Sequence, residues 1–216
     1  MQIICRIAIN VMLSKAIFMV YNIAYKLSRR NFDLKKSNVY KLVQSSLMAT
    51  FVIISTFLGI TFPIGATNFT FHLGNIVCLL AGILLGPFYG GLAAAIGSAI
   101  FDLLNPLYIA SLPFTFVFKF IMTFICGLIA HCNGKKGKFQ RYNVAGALIG
   151  SLVYVILRSL KAMLFNLYLL QMEPFSALLL TLNGTLFSLV KTIFTVLAVA
   201  ILLPLIQEKL NKVSNK

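Results

Sequence analysis

The sequence predicts an all-α integral membrane protein, a bundle of six transmembrane helices with its N- and C-termini in the cytoplasm. Three observations carry that prediction. Of the 216 residues, 60% are hydrophobic and 11% charged, too few polar side chains to cover a water-facing surface. The apolar residues gather into six runs near 41–62, 69–86, 88–104, 111–131, 144–170 and 175–206, as membrane-spanning helices do. The basic residues fall mostly between those runs and on one side of them.

The order of elements follows from charge. The second and third runs are short and joined by Gly86-Pro87-Phe88-Tyr89-Gly90-Gly91, a turn with two kinds of helix breaker. With the N-terminus inside and six crossings, the inner segments are 1–41, 86–91, 131–143 and 207–216. Lys26, Arg29, Arg30, Lys35, Lys36 and Lys41 precede the first run, Lys135, Lys136, Lys138 and Arg141 follow the fourth, and Lys209, Lys212 and Lys216 close the chain. The outer segments carry no Lys or Arg, only Asp102 at a helix end and Glu173. Merging runs two and three would put the 135–141 cluster on the wrong side of the membrane.

The net charge of +15 is therefore a topology signal and implies no nucleic-acid partner. Cys5, Cys78, Cys126 and Cys132 show no metal-ligand spacing and read as small hydrophobes. Residues 1–36 form an N-terminal extension in which Arg6 and Lys15 interrupt an apolar stretch. It reads either as an interfacial amphipathic helix or as a start placed too early. Residues 37–216 form the six-helix domain.

Small residues mark where helices pack closely in lipid. The third run is small on almost every face from Gly90 to Ala99, and Gly146-xxx-Gly150 opens the fifth. The first run holds two small pairs, Ser45-xxx-Ala49 and Ser46-xxx-Thr50. For Ser45 and Ala49, internal packing and a surface for a partner subunit stand level.

The inventory for catalysis is bare. Four acidic residues and two histidines, His72 and His131, give no HExxH site, no paired carboxylates and no GxSxG elbow. Asn133-Gly134-Lys135-Lys136-Gly137-Lys138 lacks the spacing of a phosphate loop. The expectation is a protein that is not an enzyme, with no metal, no cofactor and no nucleotide motor of its own.

Charge inside the spans is the functional signal. Lys119, Arg158, Lys161 and Lys191 lie within spans four, five, five and six. A cation at mid-membrane costs about 2.5–3.5 kcal/mol even on the lenient insertion scale. Snorkelling accounts for one such residue but poorly for four on three helices. They point to a polar cavity whose excess positive charge asks for a ligand anion or strong acceptors. Asn75, Asn166, Asn183 and Tyr168 are candidate neutral partners, Asn183 lying eight residues, about two turns, before Lys191 and roughly on the same side. The uncharged first outer loop, with Asn68 and His72, is a candidate lid.

The segment from Phe71 to Gly91, with its Gly86-Pro87-x-x-Gly90 turn, resembles the second and third helices of a known family. So do Asp102-Leu103-Leu104 and the fourth-helix opening Leu112-Pro113-Phe114-Thr115-Phe116-Val117-Phe118-Lys119-Phe120. That family is the S components of energy-coupling factor (ECF) transporters, and the likeness covers about residues 38–206. The resemblance implies a high-affinity vitamin-binding subunit of an ABC-type importer in the bacterial plasma membrane. It implies as partners a transmembrane T subunit and two ATPase subunits. It implies a pocket built from the first outer loop and helices four to six, with Asn68, His72, Asn75, Lys119, Arg158, Lys161, Asn183 and Lys191 as substrate-binding residues. It also implies that Ser45 and Ala49, at the place of a small-residue AxxxA motif, contact the T subunit. A self-sufficient secondary transporter or channel for a small anionic solute is the competing reading, separated by whether uptake depends on an ATPase partner.

Overall fold

A computed structural model describes residues 38–64, 67–106, 108–132, 137 and 139–214. The basic N-terminal segment and residues 133–136 lie outside the described residues. Among the described residues there are six α-helices, one for each apolar run: α1 (Asn38–Phe57), α2 (Gly74–Leu85), α3 (Pro87–Leu104), α4 (Leu112–His131), α5 (Gln140–Leu164) and α6 (Pro174–Ser214). A short 3-10 turn, Ile109–Ser111, leads into α4, and a π-helical turn, Phe165–Leu169, ends α5.

The segment between α1 and α2, the candidate lid, has regular structure. It is a β-hairpin of β1 (Gly59–Ile64) and β2 (Thr67–His72), antiparallel, with Gly59 opposite His72 and Ile64 opposite Thr67. The hairpin takes residues from the first and second apolar runs, so α2 has 12 residues and reaches only about 18 Å at 1.5 Å per residue. Among the described residues, four stretches are long and apolar enough to cross a membrane: Pro87–Leu104, Ile109–His131, Gln140–Leu169 and Pro174–Glu208. Lys41–Phe57 and Gly74–Leu85 are shorter apolar helices.

Breakers set the ends of the elements. Proline occupies the first turn of both α3 and α4, where its missing N–H costs nothing. Gly86 alone joins α2 to α3, at φ +89, a conformation that glycine adopts freely. The two helices thus fold back on each other at one end of the bundle.

The expected close packing of small residues is present. Ala93, Ala94, Ala95, Gly97 and Ser98 are buried on α3, which packs against α1, α2 and α4. A Cβ on Gly97 would stand 2.6 Å from the Ala49 carbonyl of α1, and one on Gly150 would stand 2.5 Å from the Met122 carbonyl of α4. Backbones at that separation leave no room for a methyl, so these glycines fix how near α3 and α5 come to their neighbours. Around them lies an apolar core of Val52, Leu79, Leu80, Ile83, Met122 and Cys126, completed by Val199 and Leu203 of α6.

The two ends of the bundle differ. At the Gly86 end, Gly137 (φ +71) is held by its N–H donating to the Ala130 carbonyl at 3.1 Å. Its own carbonyl accepts from Asn143 Nδ2 at 2.6 Å and Gln207 Nε2 at 2.7 Å. One backbone group thereby ties the α4–α5 connection to the far part of α6. The opposite end, with the hairpin and the start of α4, holds the ionisable groups described next.

Candidate functional site: a cationic cluster among four helices

α4 begins after Ser111, and Ser111, Thr115 and Lys119 follow at four-residue intervals. That spacing puts all three on one face of the helix. Lys119 is buried, 7% exposed, and its Nζ donates to Asn75 Oδ1 at the start of α2. The same ammonium stands 4.9 Å from the ring centroid of Tyr154 on α5. A neutral acceptor and an aromatic face are what a desolvated cation needs in place of water.

Asp102, near the end of α3, is also buried, 7% exposed. The Thr115 hydroxyl donates to it, and Lys119 and Lys161 are its neighbouring cations. Its Oδ2 is sealed from solvent without a hydrogen-bond partner. Lys161 of α5 donates to Ser111 Oγ at 3.0 Å and lies 4.5 Å from the centroid of Phe114. One turn earlier on α5 stands Arg158, exposed in the isolated chain. Lys191 of α6 is partly buried, with Arg158 and Lys119 as its neighbouring charges.

The structure thus brings together four of the expected cations and Asn75, on α2, α4, α5 and α6. Against one carboxylate, the cluster holds an excess of three positive charges. Like charges at short range in a poorly solvated site repel strongly, and an anion or several carbonyl acceptors would relieve that repulsion.

Other expected residues fall elsewhere. Asn183 is exposed: counted at 100° per residue, it lies about 160° round α6 from the buried face. Eight residues separate it from Lys191, but the two point about 80° apart, so Asn183 does not join the cluster. Asn68 and His72 sit on β2, opposite Pro63 and Gly59, and their side chains lie outside the described ones. Ser45 and Ala49 are each 7% exposed, and Ala49 meets α3 at Gly97. Both are packed inside the bundle. The face that α1 leaves exposed carries Leu42, Val43, Ser46, Thr50 and Ile54.

Several members were not anticipated. Tyr154 and Thr115 are partners of charges already suspected. α6 also carries a row of hydroxyls, Thr181, Thr185, Ser188, Thr192 and Thr195, four or three residues apart. Each donates to the carbonyl four residues before it, and Thr185 shares a 2.7 Å hydrogen bond with Ser159 of α5. The i, i+4, i+7 spacing is the sequence signal for this row. It gives α6 a small, self-satisfied polar edge along α5.

A family profile described as "ECF-type riboflavin transporter, S component" matches residues 36–212. Among curated proteins, the chain is 31% identical over 93 residues to an "Uncharacterized protein in gap 3'region" of Pyrococcus woesei. That alignment covers 43% of this chain and 62% of the relative, so the chain spans less than two thirds of the relative it matches.

Proposed function

This chain belongs to the ECF-type riboflavin transporter S-component family, and we propose that it is the substrate-binding membrane subunit of an ECF-type importer, with riboflavin as its ligand. The observation that carries this reading is the cluster of Lys119, Arg158, Lys161 and Lys191, in which Lys119 and Lys161 neighbour the buried carboxylate of Asp102. Four cations drawn from three apolar helices are costly without a ligand rich in acceptors, and riboflavin offers ring carbonyls and ring nitrogens to them. The binding residues in this reading are Asn75, Lys119, Arg158, Lys161 and Lys191, with Asn68 and His72 of the hairpin closing over the ligand from outside.

In this proposal all six helices of a single domain, residues 37–216, cross the plasma membrane of a bacterium, with both termini inside. The short α2 crosses together with the hairpin that continues it, shielded by its neighbours: Ile76, Val77, Cys78, Leu79, Leu80 and Ala81 are all buried. The division of labour follows from what the sequence lacks. With no nucleotide-binding motif of its own, the subunit binds and presents its ligand while a T subunit and two ATPases supply the energy. The exposed Ser46 and Thr50 face of α1 is the surface offered to the T subunit.

The test is uptake of labelled riboflavin by cells lacking their own importer. Uptake that requires the T subunit and an ATPase active in hydrolysis supports the proposal. Uptake by this chain alone would refute it in favour of a self-sufficient transporter.

A further inference from the structure

The face of α4 that carries Ser111, Thr115 and Lys119 meets a different polar group at each level. Ser111 accepts from Lys161 at 3.0 Å, Thr115 donates to Asp102, and Lys119 donates to Asn75. Read down the helix, the groups converging on this face run Lys161, Asp102, Lys119: donor, acceptor, donor. The acceptor is incomplete. Asp102 is 7% exposed and its Oδ2 has no partner, although two ammonium groups lie near it and each is turned to a neutral oxygen. A buried carboxylate oxygen left unpaired is rare and costs free energy, and here the same cations that would pair it are held at either side.

We propose that Asp102 determines which ligand this site accepts: its Oδ2 receives the N–H of a ring in which that N–H lies between two carbonyls, with Lys119 and Lys161 turning from Asn75 and Ser111 to the carbonyl oxygens. The inference rests on the binding-subunit reading above and deepens it. An acceptor–donor–acceptor edge is the complement of the Lys–Asp–Lys row, and riboflavin carries one such edge, the imide of its ring. A hydroxyl of its side chain is the other donor that could reach a carboxylate, and the test separates the two.

The experiment measures equilibrium binding to the purified full chain of riboflavin, 3-methylriboflavin, which lacks the imide N–H, and lumiflavin, which keeps it but lacks the hydroxyl chain. The unmodified chain should bind 3-methylriboflavin about tenfold or more weaker than riboflavin, as expected for loss of a hydrogen bond to a charged group. Asp102→Ala should weaken riboflavin and lumiflavin to a similar degree while leaving 3-methylriboflavin nearly unchanged. Were the methyl group excluded only by size, Asp102→Ala would instead improve 3-methylriboflavin and spare riboflavin, which overturns the proposal. Loss with riboflavin and 3-methylriboflavin alike but not with lumiflavin overturns it in favour of a hydroxyl contact. Should Asp102→Ala fail to fold, the near-isosteric Asp102→Asn and the unmodified chain's own discrimination decide, and equal affinity of that chain for riboflavin and its 3-methyl derivative refutes the idea. If the unmodified chain binds none of the three, the riboflavin reading falls first and takes this inference with it.

Discussion

Replacing Lys119 by methionine separates the cost of a buried cation from its use. The substitution keeps most of the side-chain volume and removes the charge. On the credit side, it abolishes a mid-membrane penalty of about 2.5–3.5 kcal/mol. Against that, it removes the hydrogen bond to Asn75 and the contact with the Tyr154 ring. A hydrogen bond from a charged donor contributes about 1.5–3 kcal/mol and a desolvated cation–π contact about 2 kcal/mol. The terms nearly cancel, so the melting temperature of Lys119→Met in detergent should stay within a few degrees of the parent. Ligand affinity should not survive, because the cation that would reach the ligand's acceptors is gone, and a loss of about tenfold or more is expected. The paired assay is thermal unfolding of the ligand-free chain beside riboflavin fluorescence quenching. A variant that unfolds while its residual folded fraction binds normally would show instead that Lys119 holds helices together and does not meet the ligand.

Arg158→Ala and Lys161→Ala should each weaken riboflavin binding by about tenfold, read by the same titration; unchanged affinity in both would remove α5 from the site. Ala49→Phe should destabilise the isolated chain, because Ala49 already meets α3 at Gly97, by about 1–3 kcal/mol in unfolding measurements. Thr50→Phe, on the exposed face, should leave stability and riboflavin affinity alone and weaken co-purification with the T subunit. Gly137→Ala should cost about 2 kcal/mol or more in thermal unfolding, since φ is +71 and the new Cβ would stand 2.7 Å from the Ile83 carbonyl.

The helix count and the small-residue seams were legible because they depend on local composition: runs of apolar residues, Gly86-Pro87 as a break, and glycine where backbones meet. The hairpin was hidden in hydropathy, since Ile60, Phe62 and Ile64 and then Phe69 and Phe71 extend the neighbouring apolar runs. Its signal was period-two alternation, polar against apolar from Asn68 to His72, which a hydropathy window averages away. The intramembrane cations were found by their cost, which sequence reveals directly. Their partners were not, because Tyr154 and Thr115 are ordinary in span helices and only the packing of α3, α4 and α5 brings them to the charges. Asn183 failed on angle: a separation of eight residues accumulates about 80° on a helix. Ser45 and Ala49 against Ser46 and Thr50 are two small pairs offset by about 100°, and which one faces inward is decided by Gly97 on another helix.

Native mass spectrometry of the detergent-purified full chain, produced without partner subunits in medium containing riboflavin, shows whether the chain holds a ligand by itself. A binding subunit should carry one riboflavin per chain, lost in Lys119→Met. A chain that carries no small molecule and gains no thermal stability from added riboflavin would contradict that reading.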